Sequence, residues 1–226
     1  VTFVRTAWLV LRKDLQVEVR SREIVYTTLF FAVSCILVFS FALVREGHAP
    51  AEVSAAILWI AMAFAGTLAL GRTFERERQA ETLRALLLAP VQRPAIYLGK
   101  LLGILALLAA LQVVLVPLTS LLFQAPLFAR PIWLLTLLLL GSIGFAAVGT
   151  LFAAMLGRAQ GRDVLLPLLL YPMTIPVIIA GVRGTAELLQ PSLDEPLVRM
   201  LASVMAFFDV VFLTLSFWTF EPLMTD

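Results

Sequence analysis

The sequence predicts an all-α integral membrane protein, with six transmembrane helices behind an amphipathic entry helix. Three observations carry this. Of 226 residues, 61% are apolar and 14% charged, with a mean hydropathy of +0.99; ordinary soluble domains are about 45–50% apolar and about 25% charged. The apolar residues come in blocks of 19–25, and a spanning helix needs about 20. Lys and Arg are unevenly shared between alternate connections. Together these exclude a soluble globular domain, a disordered tail and a disulfide-stapled secreted module. The whole chain, 1–226, reads as a single transmembrane domain.

The first 23 residues form one helical pattern. Val1, Val4, Trp8, Leu11, Leu15 and Val19 recur at spacings of three and four, the signature of one helix face. Arg5, Arg12, Lys13, Gln16 and Arg20 fall largely off that stripe. This is an amphipathic helix lying in the membrane interface, with Trp8 at headgroup level. A helix packed on the protein's own rim would share the pattern, and the two readings overlap.

The spans follow at 24–44, 53–71, 101–123, 132–156, 164–182 and 200–220. None alternates apolar and polar residues as a lipid-facing barrel strand must. The first is expected to be retained rather than cleaved as a signal peptide. Asp14, Glu18 and Glu23 precede it, and no small-residue cleavage site follows in Val44-Arg45-Glu46.

Orientation comes from the basic residues. One side carries Arg5, Arg12, Lys13, Arg20 and Arg22; Arg72, Arg76, Arg78, Arg84, Arg93 and Lys100; and Arg158 and Arg162, 13 in all. The other carries Arg45, Arg130, Arg183 and Arg199, four in all. The positive-inside rule places the 13, and both termini, in the cytoplasm.

The connection between the second and third spans is dense in mixed charge and then turns apolar. Glu75–Arg78 and Glu81–Arg84 are i,i+3 pairs, each worth a few tenths of a kcal/mol. Leu83, Leu86 and Leu87 share one face, and Pro90 and Pro94 are expected to end the helix. A solvated charged helix accounts for the charges but not for the leucines. The membrane interface or a partner protein must cover them.

The outer connections 45–52 and 124–131 are short, while 183–199 is longer and contains Pro191 and Pro196. Pro167, Pro172 and Pro176 fall within the fifth span. Such breaks are tolerated where protein or a wet cavity covers the freed carbonyls. The fifth span therefore lines a cavity or an interface, or is a kinked helix with a packing role. In the fourth span Gly149, Ala153 and Gly157 recur every four residues, beside Ala146, Thr150 and Ala154. This permits close helix approach, within the chain or between subunits.

Candidate chemistry is sparse. Asp209, near the centre of the sixth span, is the one acidic or basic residue deep in a predicted span; a charge there costs about 2.5–3.5 kcal/mol or more. It is a transport-path or conformational-switch residue, or else a hydrogen-bonded partner of polar groups such as Gln112 or Thr150. Phe207, Phe208, Phe212, Phe217, Trp218 and Phe220 surround it. They line a path for a flat hydrophobic ligand or face lipid. His48, in an outer loop, is the sole histidine and could ligate haem iron. Cys35 is the sole cysteine and reads as a small apolar side chain. One cysteine and one histidine exclude an intrachain disulfide and a multi-His or Cys-rich metal site. A net charge of +2 gives nucleic-acid binding no support. There is no phosphate-binding loop, no His-Glu-x-x-His and no Gly-x-Ser-x-Gly. ATP-driven work would need another chain to bind the nucleotide.

Several segments are familiar together: Leu11-Arg12-Lys13-Asp14-Leu15; the run from Glu75-Arg76-Glu77 through Glu81-Thr82-Leu83 and Leu86-Leu87-Leu88-Ala89-Pro90-Val91 to Ala95-Ile96-Tyr97-Leu98-Gly99-Lys100; and Tyr171-Pro172-Met173-Thr174-Ile175-Pro176-Val177. They resemble the haem exporter protein B family, CcmB, over almost the whole chain. The resemblance implies a non-catalytic, multi-pass permease subunit of the bacterial inner membrane, part of an ABC transporter in cytochrome c maturation. It implies an ABC-2-type exporter fold, with residues 1–23 as the elbow helix and a coupling helix within 74–89. Phe74, Glu75, Arg76, Glu77, Arg78, Glu81, Thr82, Leu83 and Leu86 would be the coupling residues. Asp209, Pro172 and Pro176 are the intramembrane candidates. The implied partners are two copies of a CcmA-like ATP-binding subunit, a second copy of this chain, and haem-handling CcmC-, CcmD- and CcmE-like proteins, all among membrane lipids. Haem would be a transported or handled ligand, and ATP would be bound by the partner. Haem export and release of a haem-loaded chaperone are both compatible with this. An ABC-2 permease for lipid, polysaccharide or drug, and an ATP-independent scaffold, are the alternatives.

Overall fold

The computed structural model describes residues 3–43, 50–79, 93–156 and 161–223, with backbone alone at 75–79, 162 and 220–223. Every regular element among them is helical. They are α1 (Phe3–Ser21), α2 (Glu23–Leu43), α3 (Ala51–Gln79), α4 (Arg93–Leu122), a 3-10 turn (Leu127–Ala129), α5 (Pro131–Met155), α6 (Arg162–Leu188) and α7 (Glu195–Leu223). Helices α2 to α7 are each long and apolar enough to cross a membrane, so the chain is a multi-pass membrane protein.

The core runs along α3 and α5, which are buried over most of their spans; α2, α4, α6 and α7 are covered on one side only. Helix α5 packs between α6 and α7 and touches α3 and α4, while α2 closes against α3 and α4. The small residues of α5 serve this packing. A Cβ added at Gly149 would lie 2.3 Å from Leu70 of α3, so that glycine is an intrachain contact.

Several element ends depart from expectation, and the reasons are local. Pro94 is the second residue of α4, where the ring sits in a turn whose N–H groups have no intrahelical partner anyway; the helix it was expected to end falls on residues 80–92, outside the described residues. Lys100, expected in a connection, is therefore well inside α4. The long outer connection shrinks to 189–194, because α6 runs on to Leu188 and α7 starts at Glu195. Arg130 caps α6, donating from Nη1 to the Leu188 carbonyl (2.8 Å) and the Gln190 carbonyl (3.1 Å). A cation there also complements the helix dipole. Asp194 caps α7, its Oδ1 accepting from the Leu197 N–H at 3.0 Å. Pro167, Pro172 and Pro176 all lie within one continuous α6.

Helix α1 presents two faces. Thr6, Ala7 and Val10 are buried, and α1 packs along α4. The apolar stripe points the other way: Val4 is 74% exposed, Trp8 60% and Val19 69%. The helix is thus both docked on the bundle and apolar outward, the geometry of an interfacial helix.

Candidate functional site

Two regions carry polar chemistry, the acid inside the bundle and the end of the bundle that holds α1.

Asp209 lies on the inward stripe of α7. Val198, Ala202, Met205, Asp209 and Ser216 are all buried at helical spacing, so the periodicity of the helix forces the acid inside. It faces Gly144 of α5, where a Cβ would lie 2.6 Å from Asp209 Oδ1 and 3.2 Å from Phe208. Only glycine leaves room for the carboxyl. Both carboxyl oxygens are buried with no hydrogen-bond partner among the described residues. The partners expected from sequence are elsewhere. Gln112 donates from Nε2 to Ser142 Oγ at 2.6 Å, and Thr150 Oγ1 is itself unpartnered. Of the aromatic residues nearby, Phe208 and Phe212 stack with ring centroids 4.3 Å apart. Phe217 meets Tyr97 edge-on at 5.4 Å, and Phe207 and Trp218 point outward. The side chain of Phe220 lies outside the described set.

An unpartnered buried acid has a measurable consequence. Replacing a buried polar group by an apolar group of the same shape is close to neutral or stabilising when no bond is lost. Asp209→Ala, which breaks no hydrogen bond and adds no volume against Gly144, is expected to melt close to the wild-type temperature in detergent. Gly144→Ala should lose about 1–3 kcal/mol by overpacking, and Asp209→Ala in the same chain should recover most of it. A Gly144→Ala loss that Asp209→Ala does not relieve would mean that the acid and the glycine do not meet.

The tie between the other spans is direct. Trp59 of α3 donates from Nε1 to Thr185 Oγ1 of α6 at 2.9 Å. Its indole lies against Gly141 of α5 and Gly181 of α6, where added Cβ atoms would come within 2.2 and 2.4 Å of the ring. One aromatic ring is slotted between two helix backbones. Toward the α1 end, the Thr67 and Tyr171 hydroxyls are 3.2 Å apart across α3 and α6. There the Tyr97 hydroxyl also donates to the Ala147 carbonyl at 3.1 Å.

At the α1 end a buried ion pair clamps α1 to α4. Lys100 Nζ lies 2.6 Å from Asp14 Oδ2, with the lysine side chain 3% exposed, and Lys13 Nζ lies 3.1 Å from Asp14 Oδ1. Gly99 makes the approach possible: a Cβ there would be 2.7 Å from Val10 Cβ and 2.8 Å from the Ala7 carbonyl. Sequence reading missed this clamp. The signal for it was Gly99 and Gly103 four apart on one helix, a close-packing pattern. Arg22 turns the chain from α1 into α2 in a left-handed conformation (φ 54°). Glu18 locks the turn, its Oε1 accepting from the Val25 N–H at 2.8 Å. Arg72 of α3 reaches Glu23 of α2 at 3.6 Å.

The coupling candidates divide. Phe74 is buried in the bundle core, so its side chain serves packing rather than an exposed surface. Glu75, Arg76, Glu77 and Arg78 continue α3 as helix. Glu81, Thr82, Leu83 and Leu86 lie outside the described residues, as do His48 and Gly157. Pro172 and Pro176 face outward from the bundle rather than into a cavity of this chain, while Pro167 borders a groove of about 910 Å3 between α2, α3 and α6. Among the described residues no three His, Cys, Asp or Glu side chains converge.

The whole arrangement, from α1 to α7, falls within one protein family. The family model for CcmB protein matches residues 5–222. The chain belongs to the CcmB family. Among curated CcmB relatives, Heme exporter protein B of Rhodobacter capsulatus is 30% identical over 199 residues, 87% of this chain and 89% of that one. The protein of the same name from Pseudomonas aeruginosa is 28% identical over 162 residues, 72% of each chain. That from Haemophilus influenzae is 26% identical over 171 residues, 75% of this chain and 76% of its own. The CcmB match takes in the α1–α4 clamp, the Trp59 slot and Asp209 alike.

Proposed function

We propose that this chain is the permease subunit of an ABC transporter that handles haem in cytochrome c maturation, with ATP bound and hydrolysed by a partner subunit. The carrying observation is the CcmB match over nearly the full length, with relatives named Heme exporter protein B. The basic end, with α1 and the exit of α3, is the cytoplasmic end by the positive-inside rule, and the membrane is the bacterial inner membrane. Two copies of the chain would assemble with two ATPase subunits, and haem-handling membrane proteins would complete the system.

In this reading the segment after Phe74 is the input. Glu75, Arg76, Glu77 and Arg78, with Glu81, Thr82, Leu83 and Leu86 beyond them, meet the ATPase surface. A push on the end of α3 reaches α6 through the Trp59–Thr185 bond and the Thr67–Tyr171 contact. Helix α4 is held back by the clamp on α1. Relative movement then falls between helices of the bundle, and Asp209 is the group with most to gain. An acid unpartnered in one state stabilises any other state that supplies a donor. Pro172 and Pro176 give α6 an outward face with freed carbonyls, which the second copy would cover. Haem is cargo here, moved or released onto a chaperone.

The test is purification of the chain with its cytoplasmic partner. Glu77→Lys combined with Leu83→Ala is expected to reduce co-purification of the ATP-binding subunit at least tenfold and to uncouple its ATPase activity. Unchanged association and coupling would remove the docking assignment. A haem absorption band in the wild-type complex would support haem over lipid, polysaccharide or drug as cargo.

A further inference from the structure

The side-chain donors of the bundle interior are committed away from Asp209. Gln112 donates to Ser142 and Trp59 to Thr185. The Tyr97 hydroxyl donates to the Ala147 carbonyl, and Thr174 Oγ1 to the Leu170 carbonyl. Two further buried hydroxyls share the α5 and α7 helices with the acid and its glycine. Ser216 is seven residues beyond Asp209 and Thr150 six beyond Gly144, about 10.5 and 9 Å along the axes at 1.5 Å per residue. Neither is within reach of a hydrogen bond.

No cation faces the acid either. Helix α7 packs on α4, α5 and α6. Residues 131–155 of α5 include no ionisable side chain. On α6 the facing residue is Val177, whose Cγ2 lies 3.3 Å from a Cβ built on Gly144. Tyr171 and Arg183 are each six residues from it, about 9 Å along the axis; Tyr171 meets Thr67 and Arg183 is exposed. On α4, Lys100 is paired with Asp14, Arg93 stands at the helix start, and Tyr97 meets Phe217, eight residues along α7 from the acid. On α7 itself Glu195 and Arg199 pair with each other, ten or more residues away, and Glu221 is twelve residues on.

An ionised carboxylate with neither donor nor counter-ion in an apolar interior costs far more than a neutral acid in the same place. A hard metal ion would need several oxygen ligands, and among the described residues no three His, Cys, Asp or Glu side chains converge. A proton needs one oxygen only.

We infer that Asp209 is a proton-binding site, which holds a proton while it faces Gly144 and releases it when the α5–α7 seam opens and water reaches the carboxyl. The step converts the carboxylic acid to a carboxylate and passes one proton to water, with no other bond changed. Once wetted, the group is an ordinary aspartate, ionised at neutral pH. The close approach of Gly144 keeps the carboxyl dry, so proton occupancy follows closure of the seam. This inference concerns the chain alone and depends on neither the cargo nor the ATPase.

The test uses the full chain in neutral detergent. Infrared difference spectra at neutral pH, wild type against Asp209→Asn and against Asp209→Ala, are expected to show the carbonyl stretch of one neutral carboxylic acid in the wild type, lost in both variants. Reversible unfolding over a pH series supplies a second readout. The folded wild type holds one proton more than its unfolded chain, so its stability relative to either variant rises as the pH is lowered from neutral. The unfolding constant should fall by up to about tenfold per pH unit relative to the variant, the signature of one proton. The other acids are common to all three chains and cancel in the comparison. A wild type without the neutral-acid band, a band that survives in both variants, or a stability difference that does not change with pH would overturn the assignment.

Discussion

Trp59→Ala is expected to destabilise the bundle by about 3 kcal/mol. That is the lower end of the range for large-to-small changes at a core tryptophan. The lower end applies because the reference state is helices in lipid, where apolar surface gains nothing by leaving water and the loss is van der Waals packing. The hydrogen bond to Thr185 adds little, since such bonds within a membrane average about 0.6 kcal/mol. Trp59→Phe should therefore cost much less than Trp59→Ala. The reciprocal changes are diagnostic. Gly141→Ala and Gly181→Ala each drive a methyl into a rigid ring at 2.2 and 2.4 Å, and the ring is too enclosed to move aside. Each should lose about 1–3 kcal/mol, and Trp59→Leu in the Gly181→Ala background should recover part of it. Thermal unfolding in detergent reads all five chains. Additive losses in the double variant would mean that the ring and the glycine do not meet.

The clamp between α1 and α4 should respond asymmetrically to the loss of either partner. Asp14→Ala deprives a lysine that is 3% exposed of its carboxylate, and removing one member of a buried pair costs about 3–5 kcal/mol. Lys100 lies two turns into α4 from its basic end, which allows some snorkelling, so about 3 kcal/mol is expected. Lys100→Met should cost less, because Asp14 keeps Lys13 at 3.1 Å and is partly solvated. Asp14→Leu with Lys100→Met should recover most of the loss, since buried ion pairs replaced by apolar residues are often neutral or better. Two readouts separate the clamp from general stability. Thermal unfolding measures the total, and limited proteolysis measures release of α1 from the bundle. Equal losses for the two single variants would contradict the geometry.

These two predictions rest on features of differing legibility. The presence of six long apolar helices was readable, because hydrophobic length is a local property and lipid enforces it. The amphipathic helix α1 was readable from spacing alone. The ends were not: Pro94 was read before the start of its span and Pro196 within an outer connection, and they are the second residues of α4 and α7, since proline is costly inside a helix and harmless in its first turn. Asp209 stood out as an acid in an apolar run, and the structure keeps it inside. Its environment was misjudged. Gln112 and Thr150 were the plausible donors by composition, yet Gln112 turns to Ser142, and the group opposite the acid is a glycine that offers only space. Lys100 read as a loop cation because the helix start was placed too late. The apolar stripe of α1 was correct as a pattern, but only the fold shows that it faces outward while Ala7 and Val10 take the contact with α4.

By itself, the sequence determined that the chain has six helices fit to cross a membrane, and that its charge gathers at one end. Hydrocarbon thickness and backbone hydrogen bonding act on each segment separately, so no neighbour need be known. Tertiary structure alone decided which residues meet. Trp59 finds Thr185 across 126 residues and Lys100 finds Asp14 across 86, and Asp209 finds an empty glycine face. Those outcomes depend on the rotation and approach of whole helices, which are set by the summed packing of many side chains and recorded in no single segment.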